Sequence, residues 1–355
     1  MSSLDEVIQS IGSLDQEAMQ AARKRQDSLT KPLGSLGRLE ELSVRIAGMA
    51  GSAIPRLDHK AIVVMAADHG VVAEAVTLYP QDVTPQMVDN FLQGGAAISV
   101  LARHIGARVV IVDVGVAADI PQHPDLVSRK IGRGTRNLAR GPAMDRDEAA
   151  RAIEVGIEIA EREIARGLDI IGTGDMGIGN TTASSAITAA ILGEPVRSVT
   201  GRGTGLGDSQ VAHKVSVIEQ ALSTNRPDGR DGLDVLSKVG GFEIAGLAGV
   251  MLGAAAHRVP VVIDGFVSGA AALIATTMAP ALRHFLIAGH LSAERGHAAV
   301  LKHLGLKPVL EFGMHLGEGT GAALAISIAE AAVKLMAEMA TFADAGVSEA
   351  DRKAE

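Results

Sequence analysis

The sequence predicts an α/β protein built on a mostly parallel sheet, and three observations carry that prediction. Short β-branched runs recur at 61–67, 108–114, 168–171, 260–263, 285–288 and 308–312. Longer stretches of helical periodicity separate them, the clearest at 146–166, where Ile153, Ile157, Ile159 and Ile164 interleave with Glu and Arg. The runs are apolar throughout rather than alternating, the pattern of strands covered on both faces by helices. About six parallel strands with helices on both faces follow.

Taken in order, residues 1–55 read as helical with a charged surface. The first strand, 61–67, runs into Asp68-His69-Gly70, and the second, 108–114, closes on Asp113-Val114-Gly115. The third, 168–171, leads into GTGDMGIGNTT (172–182). The fourth, 260–263, meets Asp264-Gly265, the fifth, 285–288, meets Gly289-His290, and the sixth, 308–312, leads into EFGMHLGEGTG. The uncharged run 265–282 is long enough for a membrane span but reads as a buried helix. From Gly321 to Ala345 one long Ala-rich helix is expected, followed by a charged tail. The two ends, 1–55 and 326–355, are expected to form a small helical domain beside a large domain of 56–325.

Composition narrows the function. Glycine is 41 of 355 residues, about 12% against a usual ~7%, while the rings are six Phe, one Tyr and no Trp. So few rings argue against single-stranded nucleic-acid binding by stacking. The net charge of −8, with no long basic block, argues against nucleic acid as a partner. The absence of cysteine removes disulfides, thiolate metal sites and cysteine nucleophiles, and fits a cytoplasmic setting. The amino-terminal segment has acidic residues and no apolar core of a secretory signal.

The informative pattern is that each expected strand runs into polar or glycine-rich residues. Asp, Asn and Gly also cap helices and make turns, but six such ends together point to a ligand site at the carboxyl edge of the sheet. Gly172, Gly174 and Gly177 satisfy G-x-G-x-x-G, a dinucleotide fingerprint in form. Asp175 within it places an anion beside the expected pyrophosphate, and Asn180-Thr181-Thr182 offer hydroxyl and amide donors. The set suits a mononucleotide phosphate better than NAD, although an NAD-linked oxidoreductase stays open. Lys214 is either a phosphate-binding charge or an exposed helix lysine. His69, His290 and His297 lack the pair spacing of a metal site, and no metal is expected. Gly-Thr-Gly recurs at 172–174, 203–205 and 319–321. Glu318 sits immediately before the last of these, ahead of an apolar helix. It fits a partly desolvated general base, and equally a carboxylate complementing the helix dipole.

Seven segments in order resemble one family: KPLGSLGRLE, AADHGVVAEAVTLYPQDVTPQMV, GTGDMGIGNTT, GGFEIAGLAG, DGFVSGAAAL, GHLSAERGH and LEFGMHLGEGTGAALA. Together they are similar to nicotinate-nucleotide:dimethylbenzimidazole phosphoribosyltransferases, from about Ser28 to Ala325. The resemblance implies a Rossmann-like sheet, a small helical domain from both termini and a homodimer. It implies transfer of phosphoribose from nicotinate mononucleotide to 5,6-dimethylbenzimidazole, without a cofactor, in cobalamin lower-loop assembly. It makes Glu318 the general base and puts Tyr79, Gln86 and Met87 at the benzimidazole. Nucleotide contacts map onto Gly177, Gly179, Asn180, Thr181, Lys214, Gly289 and Ser292, with Asp264 at a strand end beside them. Asp175 stands where many relatives carry Glu, so the resemblance leaves its role open while counting it as catalytic. A non-catalytic binder of nucleotide or benzimidazole is the further alternative.

Overall fold

A computed structural model describes residues 3–348. Six parallel strands form one sheet: β1 (Lys60–Ala67), β2 (Ala107–Gly115), β3 (Leu126–Ser128), β4 (Ile170–Met176), β5 (Val261–Ile263) and β6 (Leu286–Ala288). Their order is β3-β2-β1-β4-β5-β6. The chain starts in the middle, winds outward to β3, then returns past β1 to build the other half. The connections leaving the carboxyl ends of β1 and β4 therefore run in opposite directions along the sheet, at the point where the order reverses, which is where open α/β sheets bind ligands. β1 is buried along its whole length, as its unbroken apolar run requires. The helix Phe242–Ala256 packs against both the sheet and the helix Arg146–Ile164. Gly156 and Gly249 allow that helix pair to touch backbone to backbone: a Cβ on either would meet a carbonyl of the other helix at 1.9 Å.

The observed strands differ from the expected ones in three places. The segment 308–312 is not a strand: it makes one isolated parallel bridge, Leu310 to His290. Pro308 lacks an N–H for a ladder, and beyond Leu310 the chain leaves the sheet edge with Phe312 exposed. The sixth strand is instead β3, three residues long and not apolar on both sides, too short for periodicity to register. Finally, β4 does not stop at Ile171 but continues to Met176, pairing Met65 with Asp175 on β1. Gly172 and Gly174 are thus strand residues, not loop residues.

The chain divides into two compact units, one made of the stretch to Gly12 with His59–Ile326, the other of Ser13–Asp58 with the stretch from Ser327. In the first unit the helix Leu4–Ser10 packs with the helices Arg146–Ile164 and Phe242–Ala256. Residues 3–12 therefore lie outside the small helical domain in which the sequence pattern put them. In the second unit, helices Gln16–Ser28 and Arg38–Ala50 share a core of Ala22, Val44, Ala47 and Met336. The expected helix 321–345 is interrupted. Thr320–Glu338 ends where the Arg25 guanidinium donates to the carbonyls of Met336 (3.1 Å) and Met339 (2.8 Å). A new turn, Phe342–Ala345, then starts on the Thr341 cap. Thr320–Glu338 is the one helix among the described residues that is long and apolar enough to cross a membrane, yet Ala322, Ile326, Ala329 and Met336 are buried within the fold. The uncharged run 265–282 forms the helix Phe266–Met278, buried through Ala275.

Candidate active site

A cavity of about 850 Å³ opens at the carboxyl ends of the strands, within the larger unit. Its floor is made where β4 ends beside the Gly317-Glu318-Gly319 loop. All three residues of that loop have positive φ: 83°, 63° and 93°. Glycine adopts such angles freely, but Glu318 does so at a cost of order 1–3 kcal/mol. Gly174 is what lets this loop settle, since a Cβ there would lie 2.3 Å from the Glu318 carbonyl oxygen. The two in-strand glycines thus serve packing. Gly172 faces Ile62 and Ala322, and neither belongs to a phosphate-binding turn. The dinucleotide reading of 172–177 is corrected on that ground.

Glu318 lines the cavity while only 6% exposed. Its Oε2 accepts the Ile98 backbone N–H at 3.3 Å, in the first turn of the helix Ala97–Ile105. Burial raises its pKa above the ordinary carboxylate value, and the Ile98 bond restrains that rise. The residue precedes the helix Thr320–Glu338 rather than lying in its first turn, and its carboxylate meets the first turn of the helix Ala97–Ile105 instead.

Asp175 lies beneath the same loop: a Cβ on Gly317 would sit 3.3 Å from its Oδ2. Asn180 Nδ2 donates to that oxygen at 2.9 Å. Burial first, then the neighbouring charges of Asp264 and Glu243, push Asp175 well above the usual carboxylate range. Asp264, at the end of β5, accepts from Gly319 N (3.3 Å) and Ala322 N (2.9 Å), and burial raises it to about 7. It lies behind the cavity wall and ties β5 to the Glu318 loop.

The second glycine segment builds an anion cradle. Gly177 passes so close to β1 that a Cβ would meet the Ala67 carbonyl at 2.4 Å, and Gly179 turns with φ 98° into the helix Asn180–Leu192. Asn180 and Thr181, at the start of that helix, line the ligand space, where the helix end carries positive potential. Lys214 Nζ donates to Thr181 Oγ1 at 2.7 Å. Burial lowers Lys214 to about 8, with Glu294 pulling the other way. The exposed-lysine alternative is thereby removed, because Lys214 is among the largest fully buried side chains.

Of the other expected residues, Tyr79 and Met87 line the cavity mouth, with Tyr79 half exposed. Ser292 also lines the cavity. Gln86 does not line the cavity; it points to solvent from the helix Val83–Leu92. Gly289 is likewise outside it, donating to the Ile263 carbonyl at 2.8 Å and packed on Gly321 and Ala322.

The three histidines separate. His69 Nε2 pairs with Glu243 Oε1 at 2.6 Å, fully buried behind the Gly177–Gly179 turn. Burial disfavours the charged ring there, but the Glu243 carboxylate outweighs it and raises the pKa. His297 Nδ1 accepts the Ser292 N–H at 2.9 Å, and burial lowers it to about 3. His290 alone lines the cavity.

Sequence reasoning missed several contributors. Gly265 and Phe266 enter the wall as the start of a helix, and Gly203-Thr204-Gly205 cross the mouth, where Thr204 Oγ1 meets Thr77 Oγ1 at 3.3 Å. The recurring Gly-Thr-Gly triplet was the available signal for the latter. Ala97 and Leu101 carried none, since nothing local places their helix beside a loop 220 positions away.

A sheet of this order with a carboxylate over an anion cradle at its switch point defines a nucleotide-processing α/β enzyme. The phosphoribosyltransferase family matches residues 11–347. A nicotinate-nucleotide–dimethylbenzimidazole phosphoribosyltransferase of Chloroflexus aggregans is 64% identical over 98% of this chain and 99% of its own length. The protein of that name from Roseiflexus sp. is 63% identical over 98% and 99%. The crystal structure of the enzyme of that name from Thermus thermophilus superposes with a TM-score of 0.90 at 48% identity, covering 95% of this chain and 100% of that one. The chain belongs to the nicotinate-nucleotide–dimethylbenzimidazole phosphoribosyltransferase family.

Proposed function

We propose that this cavity transfers the 5-phosphoribosyl group of nicotinate mononucleotide to 5,6-dimethylbenzimidazole, releasing nicotinate and α-ribazole 5′-phosphate for the lower loop of cobalamin. The observation that carries the reading is the Glu318 carboxylate, buried and held by Ile98 N–H at the switch point.

The chemistry follows from the groups present. The nucleotide phosphate sits on the Gly177–Gly179 turn, Asn180 and Thr181, with the Lys214 ammonium bonded to Thr181 Oγ1 behind them. The pyridinium leaving group is already cationic, so breaking its bond to C1′ needs no acid. One benzimidazole nitrogen attacks C1′ from the opposite face, turning β into α. Glu318 takes the proton from the other ring nitrogen, and the pyridine nitrogen keeps the electron pair of the broken bond. A raised pKa suits that exchange, because the base must accept the proton and later give it up. Asp175, raised well above the usual carboxylate range by burial and by the charges of Asp264 and Glu243, lies beneath the Glu318 loop. Tyr79 and Met87 face the acceptor at the mouth, and Ser292 the nucleotide. The enzyme works as a homodimer in the cytoplasm on this reading.

The deciding experiment incubates the protein with nicotinate mononucleotide, with and without dimethylbenzimidazole. Acceptor-dependent release of nicotinate with equal formation of α-ribazole phosphate is expected. Saturable binding of either substrate with no product supports a non-catalytic binder instead.

A further inference from the structure

His69 and Glu243 are buried ionisable groups with no part in the transfer chemistry. His69 follows β1 and Glu243 lies in the first turn of the helix Phe242–Ala256; both side chains are fully buried, with Nε2 and Oε1 2.6 Å apart. His69 Nδ1 and Glu243 Oε2 have no hydrogen-bond partner. A fully buried ion pair is a costly way to hold a fold together, since apolar residues of like volume often stabilise it as well or better.

The pair stands directly under the turn that opens the anion cradle. A Cβ on Gly177 would lie 3.5 Å from Glu243 Oε1, and one on Gly179 would lie 3.3 Å from His69 Cβ. Each glycine of the turn thus rests on one member of the pair. Gly241 makes the room: a Cβ there would meet Glu243 Oε2 at 2.7 Å and His69 Cε1 closer still. The middle residue of the turn is held separately, with Ile178 N donating to the buried Thr84 Oγ1 at 3.2 Å. Two glycines in three residues leave a turn free to move unless neighbours fix it, and the pair fixes it on its buried side. Burial works against a charged ring, but the Glu243 carboxylate outweighs it, so the bond is of the stronger, charge-assisted kind. Neither residue lines the cavity.

We propose that the His69–Glu243 bond is a positioning device for phosphate binding: it holds the Gly177–Gly179 turn in the shape that the nucleotide phosphate requires, without touching the ligand. The inference rests on the phosphoribosyl-transfer reading, which puts the phosphate on that turn. The charge of Glu243 is also felt at Asp175 on the floor. Binding in the absence of acceptor is therefore a cleaner readout than turnover, because the floor chemistry does not enter it.

The test is calorimetric binding of nicotinate mononucleotide and nicotinate riboside to the wild-type protein, Glu243→Met, the double variant His69→Phe/Glu243→Met, and Glu243→Gln. The riboside lacks the phosphate and shares the rest, so a change confined to the turn appears in the ratio of the two affinities. The double variant exchanges the pair for apolar residues of similar volume, which guards against a chain that fails to fold around one unpaired group. The wild type is expected to favour the mononucleotide at least about tenfold, in line with hydrogen bonds to a charged group. Glu243→Met and the double variant should each cut that ratio at least about fivefold, the effect of a small misplacement, while the riboside binds within about twofold of wild type. Glu243→Gln, which keeps an acceptor for His69 Nε2, should hold the ratio within about twofold of wild type. A merely structural pair would not move the ratio. An unchanged ratio in the folded double variant therefore overturns the proposal. So does an equal loss for both ligands, or a Glu243→Gln as impaired as Glu243→Met. Equal affinity of the wild type for both ligands, or binding of neither, would instead sink the phosphoribosyl-transfer reading itself.

Discussion

Ile98 N donates to Glu318 Oε2 at 3.3 Å across 220 positions of sequence. The contact joins the first turn of one helix to the loop that precedes another, and it sets the direction in which the carboxylate faces. It also restrains a pKa that burial alone would raise further.

Glu318→Gln keeps the shape and the acceptor oxygen for Ile98 but removes the base. Turnover should fall by about 10²–10⁴, with the KM for nicotinate mononucleotide little changed. In the wild type kcat should rise with pH as Glu318 ionises, along a limb displaced upward from that of an ordinary carboxylate, and the variant should lack this limb. A purified Glu318→Gln with near-normal turnover would contradict the base assignment.

Lys214 should carry the descending limb of kcat/KM. Its ammonium is present below about 8 and is lost as the pH rises through that value in the free enzyme. Lys214→Met should raise the KM for the nucleotide by roughly 10–100-fold, the worth of a hydrogen bond to a charged group, and flatten the limb. Initial rates between about pH 6.5 and 9.5, a range that brackets the lysine, read both effects.

Asp264 links stability to pH. Burial holds its carboxyl at about 7 in the folded protein, against ~3.9 in an unfolded chain. Between those values the folded state keeps a proton that the unfolded state has lost, so stability falls as pH rises through the window and levels off above it. Asp175, raised for the same first cause, adds to the slope. Asp264→Asn should lessen the drop in Tm between about pH 5 and pH 8 by on the order of a few degrees. An identical drop in both proteins would remove Asp264 from the account.

Tyr79, the single tyrosine, lines the cavity mouth and is half exposed. Tyr79→Ala should raise the KM for dimethylbenzimidazole several-fold more than that for the nucleotide, since a stacked ring contact is worth about 0.5–1.5 kcal/mol beyond its area. Equal losses for both substrates would place the ring elsewhere.

The fold class was legible because parallel strands are buried on both faces and so appear as unbroken apolar runs, as β1 does. Where a strand was short or half-exposed, as in β3, the pattern vanished. The run 308–312 was apolar enough to mislead, but a ladder needs a neighbour's backbone, which sequence does not display. Glu318, Asp175 and the Gly177–Thr181 cradle were legible because their residue types are costly unless used. Gln86 and Gly289 were placed by resemblance, and they stand outside the cavity lining because one faces solvent and the other packs a strand end.

The sequence by itself determined the α/β class, the glycine-rich strand ends and the family of the chain, since these depend on local periodicity and on residue types read in order. Only the tertiary structure decided that Gly174 serves to admit the Glu318 loop. Only it decided that Lys214 is buried against Thr181 rather than exposed, and that of His69, His290 and His297 it is His290 that lines the cavity. Each of these depends on atoms from distant segments meeting within about 4 Å. Burial, pKa and hydrogen-bond satisfaction arise only when they do.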